Sequence, residues 1–259
     1  MFPLRDDNPT LHRSVVTFVI IALNVVVWVF VQGLGLNPAL ARSVCRFGLV
    51  PGELLGTVAP GTEVPLGQGL VCVIEQQANW ITLVSSMFMH GGWFHLIGNM
   101  WFLAVFGDNV EDALGPVRFT VFYLVCGLAA AGAQMAADPS SAVPMVGASG
   151  AIGGVMGAYA VLFPRAPVHM LVFLGFYVTR IVIPAFLMLG YWFVLQLVGG
   201  LLPSGISGGV AVWAHVGGFV AGVALVWVFC RTGRLAACRE RRGRTDRWVR
   251  RYVRDEWGR

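Results

Sequence analysis

Charge is what this sequence has least of. Only 12% of its 259 residues are Asp, Glu, Lys or Arg, against 57% apolar and a mean hydropathy of +0.73, whereas a soluble domain carries about 25% charged residues. That deficit excludes a water-soluble globule and implies an integral membrane protein. Cysteine is also scarce, and five are too few for a disulfide scaffold. Cys126 and Cys230 lie in or at the ends of apolar runs, where cysteine acts as a small hydrophobe. Cys45 and Cys72 share a long loop in which an oxidising exterior would permit them to pair. There is no internal repeat, no HExxH-type motif and no low-complexity segment beyond a basic tail.

Apolar runs fall at about 14–33, 80–106, 117–136, 146–163, 181–202 and 210–230. A helix needs roughly 20 apolar residues to cross about 30 Å of hydrocarbon, so the pattern predicts an all-α, polytopic protein with six transmembrane helices over 14–230. The first run is longer than the roughly 7–15 residues of a signal h-region, and Ala39-Leu40-Ala41, which has the small-x-small form of a cleavage site, lies well beyond its end. It reads as a retained helix. Residues 231–259 hold eleven Arg against four acids, which places that tail in the cytoplasm by the positive-inside rule and beside anionic lipid rather than nucleic acid. An even number of spans then places the N-terminus, 1–13, on the same side and the long loop 34–79 outside. The outer connections 137–145 and 203–209 contain no Lys or Arg, which agrees; Arg42 and Arg46 of the long loop dissent. The conformation of 168–180 is open, and Arg180 reads as an interfacial residue whose charge reaches back to water.

Polar side chains inside spans are functional candidates because a bilayer penalises them. They are Asn24 in the first run, His90, His95 and Asn99 in the second, Ser149 in the fourth, Gln196 in the fifth and His215 in the sixth. Ser149 sits in Gly147-Ala148-Ser149-Gly150, with Gly153 and Gly157 continuing at four-residue spacing, and His215 is followed by Gly218 and Gly222. Small residues at that spacing let two helices approach closely, which would bring the serine to a base able to take its proton. His95 and Asn99, one turn apart, could donate to an oxyanion. No Asp or Glu lies in these runs to complete a triad, so the reading is a dyad. A metal site from His90, His95 and His215 lacks a neighbouring carboxylate, and no metal is expected. A transporter would show paired charges or broken helices at the midplane, which are missing.

The motifs GASG with Ser149, AHVGGFVAG with His215 and HGGWFHLIGNM with His90, His95 and Asn99 together resemble the signature of the rhomboid intramembrane proteases. The resemblance covers about 79–222 and includes FGDNVEDALGPVRF at 106–119. It implies a six-helix core with Ser149 as nucleophile and His215 as general base, then acid. His95, Asn99 and the Ser149 N–H would form the oxyanion hole. His90 would stabilise a loop, while Gly147, Gly150, Gly218 and Gly222 would support the site. It further implies substrates that are membrane proteins with a transmembrane segment, cut near its outer end, without cofactor or metal. An inactive, client-binding relative is the alternative. Two features depart from the family: Gly153 stands where some members stack an aromatic on the catalytic His, and the first outer loop lacks a Trp-Arg pair. The short connection 203–209 reads as a mobile cap over the site. A bacterial plasma membrane is the expected location.

Overall fold

The computed structural model describes residues 2–67, 70–75, 78–175, 177–201 and 211–231. The tail 232–259 and the connection 203–209 lie outside the described residues. In chain order the elements are β1 (Phe2–Asp6), α1 (Val15–Phe30), α2 (Ala39–Phe47), α3 (Pro51–Leu54), β2 (Glu63–Gly67), β3 (Leu70–Val73), α4 (Thr82–Ser85) and α5 (Trp93–Leu114). They continue with α6 (Pro116–Ala137), α7 (Ser149–Leu162), β4 (Pro167–Leu174), β5 (Tyr177–Pro184), α8 (Ala185–Leu201) and α9 (Val212–Arg231). By length and composition alone, α6 and residues Val212–Cys230 of α9 are long and apolar enough to cross a membrane, while α1, α7 and α8 are shorter apolar helices.

Three expectations need correction. The molecule is predominantly helical but not all-α: β1, β4 and β5 form an antiparallel sheet in the order β1-β4-β5, and β2 pairs with β3. The stretch 168–180 is therefore most of a hairpin, favoured by its β-branched Val and Thr and turned near Gly175, whose φ is +65°. The second long helix begins at Trp93 rather than near 80, because Met89 is extended and the Gly91-Gly92 pair interrupts the chain. His90 thus precedes the helix. At its other end that helix continues to Leu114 through much of the expected connection 107–117. Gly115 alone makes the turn, with φ +83°, and Pro116 opens α6 at the position where its missing N–H costs nothing.

The described residues of the loop 34–79 include α2, α3, β2 and β3, with Cys45 and Cys72 joined by a disulfide between α2 and β3. At the opposite end of the molecule, the acids that close α5 grip the chain leading into α1. The buried Glu111 carboxylate accepts from the Val16 N–H at 2.8 Å, the Thr17 N–H at 2.7 Å and the Thr17 hydroxyl at 2.7 Å. It replaces the N-cap that α1 lacks and places negative charge at the positive end of that helix. Asp112 accepts from the N–H groups of Leu11 and His12 at 2.9 and 3.0 Å. β1 is tied to β4 by Asp7 and His169, 2.6 Å apart, and to α7 by the Tyr159 hydroxyl, which donates to Asp6.

The core is built around α7, buried from Gly150 to Tyr159 and again at Leu162. Its glycines, each disfavoured in a helix by roughly 0.5–1 kcal/mol relative to Ala, make sense only through what they touch. A Cβ on Gly218 of α9 would overlap the Gly150 carbonyl, and one on Gly222 the Gly154 carbonyl. The two helices meet backbone to backbone. Overpacking a tight contact costs typically about 1–3 kcal/mol, so Gly222→Val should lower thermal stability in detergent and part α7 from α9. An unchanged melting temperature would sink this reading of the seam.

Burial pushes the Asp6 carboxyl up to about 7, with nearby Asp108 adding to the effect and the Tyr159 hydrogen bond opposing it. A carboxyl raised in the folded state stabilises below its unfolded pKa, and that contribution is lost as pH rises through about 7. Asp6→Asn should therefore gain stability relative to wild type between pH 5 and pH 8, measured as the difference in melting temperature; parallel pH profiles would contradict it.

Candidate active site

Ser149 is the first residue of α7. The turn before it requires Gly147, whose φ is +130° and whose N–H donates to the Ser86 carbonyl at 2.9 Å. Ile152 N–H donates to the Ala148 carbonyl at 3.0 Å as the first bond of the helix. The N–H groups of Ser149 and Gly150 precede that bond and have no acceptor within the helix. His215 lies in the first turn of α9, where Gln134 of α6 accepts from the Ala214 N–H at 3.2 Å. The seam of glycines brings these two helix starts together, with His215 Nε2 2.8 Å from Ser149 Oγ.

The other imidazole nitrogen, Nδ1, is 2.8 Å from Oε1 of Gln196 on α8. An amide oxygen only accepts, so Nδ1 carries the proton and the Nε2 lone pair faces the serine hydroxyl. This is the tautomer a general base needs.

His95 stands in the first turn of α5, and its Nδ1 accepts from the Gly91 N–H at 3.3 Å. Its proton therefore sits on Nε2, on the side of Ser149: a Cβ on Gly147 would lie 2.7 Å from His95 Nε2 and 3.3 Å from Ser149 Oγ. Asn99, one turn on and 8% exposed, has an amide nitrogen with no hydrogen-bond partner among the described residues. Ser149, His215, His95 and Asn99 line one cavity of about 630 Å³, together with Gly147 and Trp192.

His90 is adjacent rather than in the cavity. Its ring is buried edge-to-face on His95 at 5.1 Å, and its backbone N–H and carbonyl exchange hydrogen bonds of 2.8 Å with the Gln32 amide. Neither ring nitrogen makes a hydrogen bond among the described residues. Gly150 and Gly218 abut each other below the dyad, with Gly222 one turn further along the same seam. Asn24 bonds the Ile20 carbonyl of its own helix at 2.8 Å. Among the described residues no three His, Cys, Asp or Glu converge as a metal site requires.

Two contributors were not assigned to the site from sequence. Gln196 was visible as a polar residue in an apolar helix, and Trp192 precedes it by one turn on the same face. That spacing was the available signal.

The fold and the cavity define a predominantly helical protein with a polar site among its apolar helices. A family model described as Rhomboid domain matches residues 77–232, and the chain belongs to the rhomboid family. It is 30% identical over 193 residues to RHOMBOID-like protein 1 of Arabidopsis thaliana, covering 73% of this chain and 45% of the relative. It is 32% identical over 162 residues to Rhomboid-like protein 11, chloroplastic, of the same plant, covering 59% and 53%. Over 151 residues it is 33% identical to Rhomboid protease GluP of Bacillus subtilis (strain 168), covering 58% and 27%. The chain thus spans about half the length or less of these relatives. One of them is named chloroplastic, so the comparisons support a membrane but do not single out a bacterial plasma membrane.

A side chain at Gly147 would strain the turn and press on His95. Gly147→Ala should reduce labelling of Ser149 by a fluorophosphonate about a hundredfold, the order of one lost oxyanion donor; wild-type labelling in this variant would show that the turn is not needed.

Proposed function

We propose that this protein is an intramembrane serine endopeptidase that cuts transmembrane segments of other membrane proteins near their outer end. The observation that carries the reading is the 2.8 Å contact between Ser149 Oγ and His215 Nε2 in a cavity shared with His95 and Asn99. The serine oxygen attacks the scissile carbonyl carbon while its proton passes to Nε2. The tetrahedral oxyanion is met by His95 Nε2–H, the Asn99 amide and the Ser149 N–H. The carbon–nitrogen bond then breaks, the imidazolium protonates the leaving amine, and water admitted to the cavity repeats the sequence on the acyl ester. No cofactor or metal has a role.

Six spans, α1 and α5 to α9, with both termini cytoplasmic, form the architecture that goes with this function. Its support is the common placement of β1, the β4–β5 hairpin and the acidic end of α5 at the end of the molecule away from Ser149. A catalytically inactive relative that binds clients is the second reading. Against it stands the presence of both dyad residues in hydrogen-bonding position.

The test is cleavage of a single-span membrane protein in detergent or liposomes. Ser149→Ala and His215→Ala should abolish it, a chelator should leave it unchanged, and Asn99→Ala should slow it by about 10²–10³. Absence of wild-type cleavage together with failure of a fluorophosphonate to label Ser149 would replace this reading with the inactive one.

A further inference from the structure

The dyad is held from a third helix. α8 starts against the end of α7, where the Ala185 and Phe186 N–H groups donate to the Ala166 and Pro164 carbonyls, each at 2.9 Å. Its fully buried residues, Ala185, Met188 and Leu189, all lie in its first five positions. Beyond them the helix is peripheral: Tyr191, Val194, Leu195 and Val198 are about half exposed, from 48% to 53%. The inward side of this loosely packed half presents two groups to His215. Gln196 Oε1 accepts a hydrogen bond from Nδ1–H at 2.8 Å, its one side-chain hydrogen bond among the described residues. The Trp192 ring lies over the imidazole, with centroids 5.9 Å apart and planes 37° from parallel.

Trp192 also explains Gly153. With no side chain there, α7 offers nothing to cover the imidazole. A Cβ on Gly153 would meet the Trp192 ring at 3.8 Å, so the tryptophan edge reaches over the space that residue leaves. Phe193 and Phe219 stack at 4.7 Å and seat this face of α8 on α9.

We propose that Gln196 and Trp192 are positioning residues for the general base: Gln196 fixes the tautomer of His215, and Trp192 fixes its ring plane. The inference rests on the reading of Ser149 and His215 as the dyad. A neutral amide does here what a carboxylate does in a triad, without the cost of burying a charge in apolar surroundings. Because both groups come from the half-exposed part of α8, the base is set only when that part of α8 lies against α9.

The experiment uses the full chain in micelles, with two readouts. Cleavage kinetics are compared for wild type, Gln196→Met, Gln196→Glu, Trp192→Leu and Trp192→Phe. The tautomer of His215 is read from nitrogen chemical shifts of histidine-labelled protein, with the signal assigned by its loss in His215→Gln. Gln196→Met, of similar volume but without an acceptor, should lower kcat about tenfold, the worth of one hydrogen bond, with KM little changed, and should turn a single tautomer into a mixture. Gln196→Glu restores an acceptor and should recover the Nδ1-protonated form. Trp192→Leu should lower kcat, and Trp192→Phe should recover most of it.

Wild-type tautomer and rate in both Gln196→Met and Trp192→Leu would overturn the proposal while leaving the dyad intact. If wild type cuts nothing but Gln196→Met still scrambles the tautomer, the protease reading fails and the positioning stands.

Discussion

Everything in this molecule hangs on two helices touching through their backbones. A serine hydroxyl and an imidazole must stand within hydrogen-bond reach at adjacent helix starts, and side chains between α7 and α9 would hold them apart. Gly150 against Gly218 and Gly154 against Gly222 remove that obstacle. The glycines weaken α7 as a helix, so its shape is imposed by α5, α6, α8 and α9 around it rather than by its own propensity. Local preference and tertiary demand conflict here, and such conflicts belong at functional sites.

The two ends of the molecule do different work. One carries the cavity, the long loop with its disulfide, and helix starts whose first N–H groups have no acceptor within the helix. The other carries the sheet, the acids of α5 and the incoming chain, joined by short charge-assisted contacts such as Glu111 on the start of α1. α7 connects them, with Ser149 at its first residue and Tyr159, bonded to Asp6, near its last turn. Ser149 therefore rests on a rod fixed at the far end.

Most of the site was legible because a bilayer makes polar residues conspicuous. Ser149, His215, His95 and Asn99 stood out against apolar runs, and the glycine spacing said which helices meet. Periodicity is no help where runs are apolar throughout: the second run suggests a helix start near 80, about thirteen residues ahead of Trp93, and a connection where the charged end of α5 lies. The conformation of 168–180 is open from sequence because a short apolar stretch with β-branched residues satisfies helix and strand alike. Gln196 is conspicuous in its apolar run, but no pattern within one helix tells which neighbour its side chain will reach. Trp192 was hidden by being one aromatic among many.

The seam between α7 and α9 also limits how this protein can change. A side chain that grows can be answered by a neighbour that shrinks, and cores drift in sequence by such exchanges. A carbonyl oxygen cannot shrink. At Gly218 and Gly222 the opposing surface is main chain, identical whatever residue supplies it, so no second substitution can make room for the first. These positions have no partner to bargain with, and their history should be one of silence rather than of paired replacement.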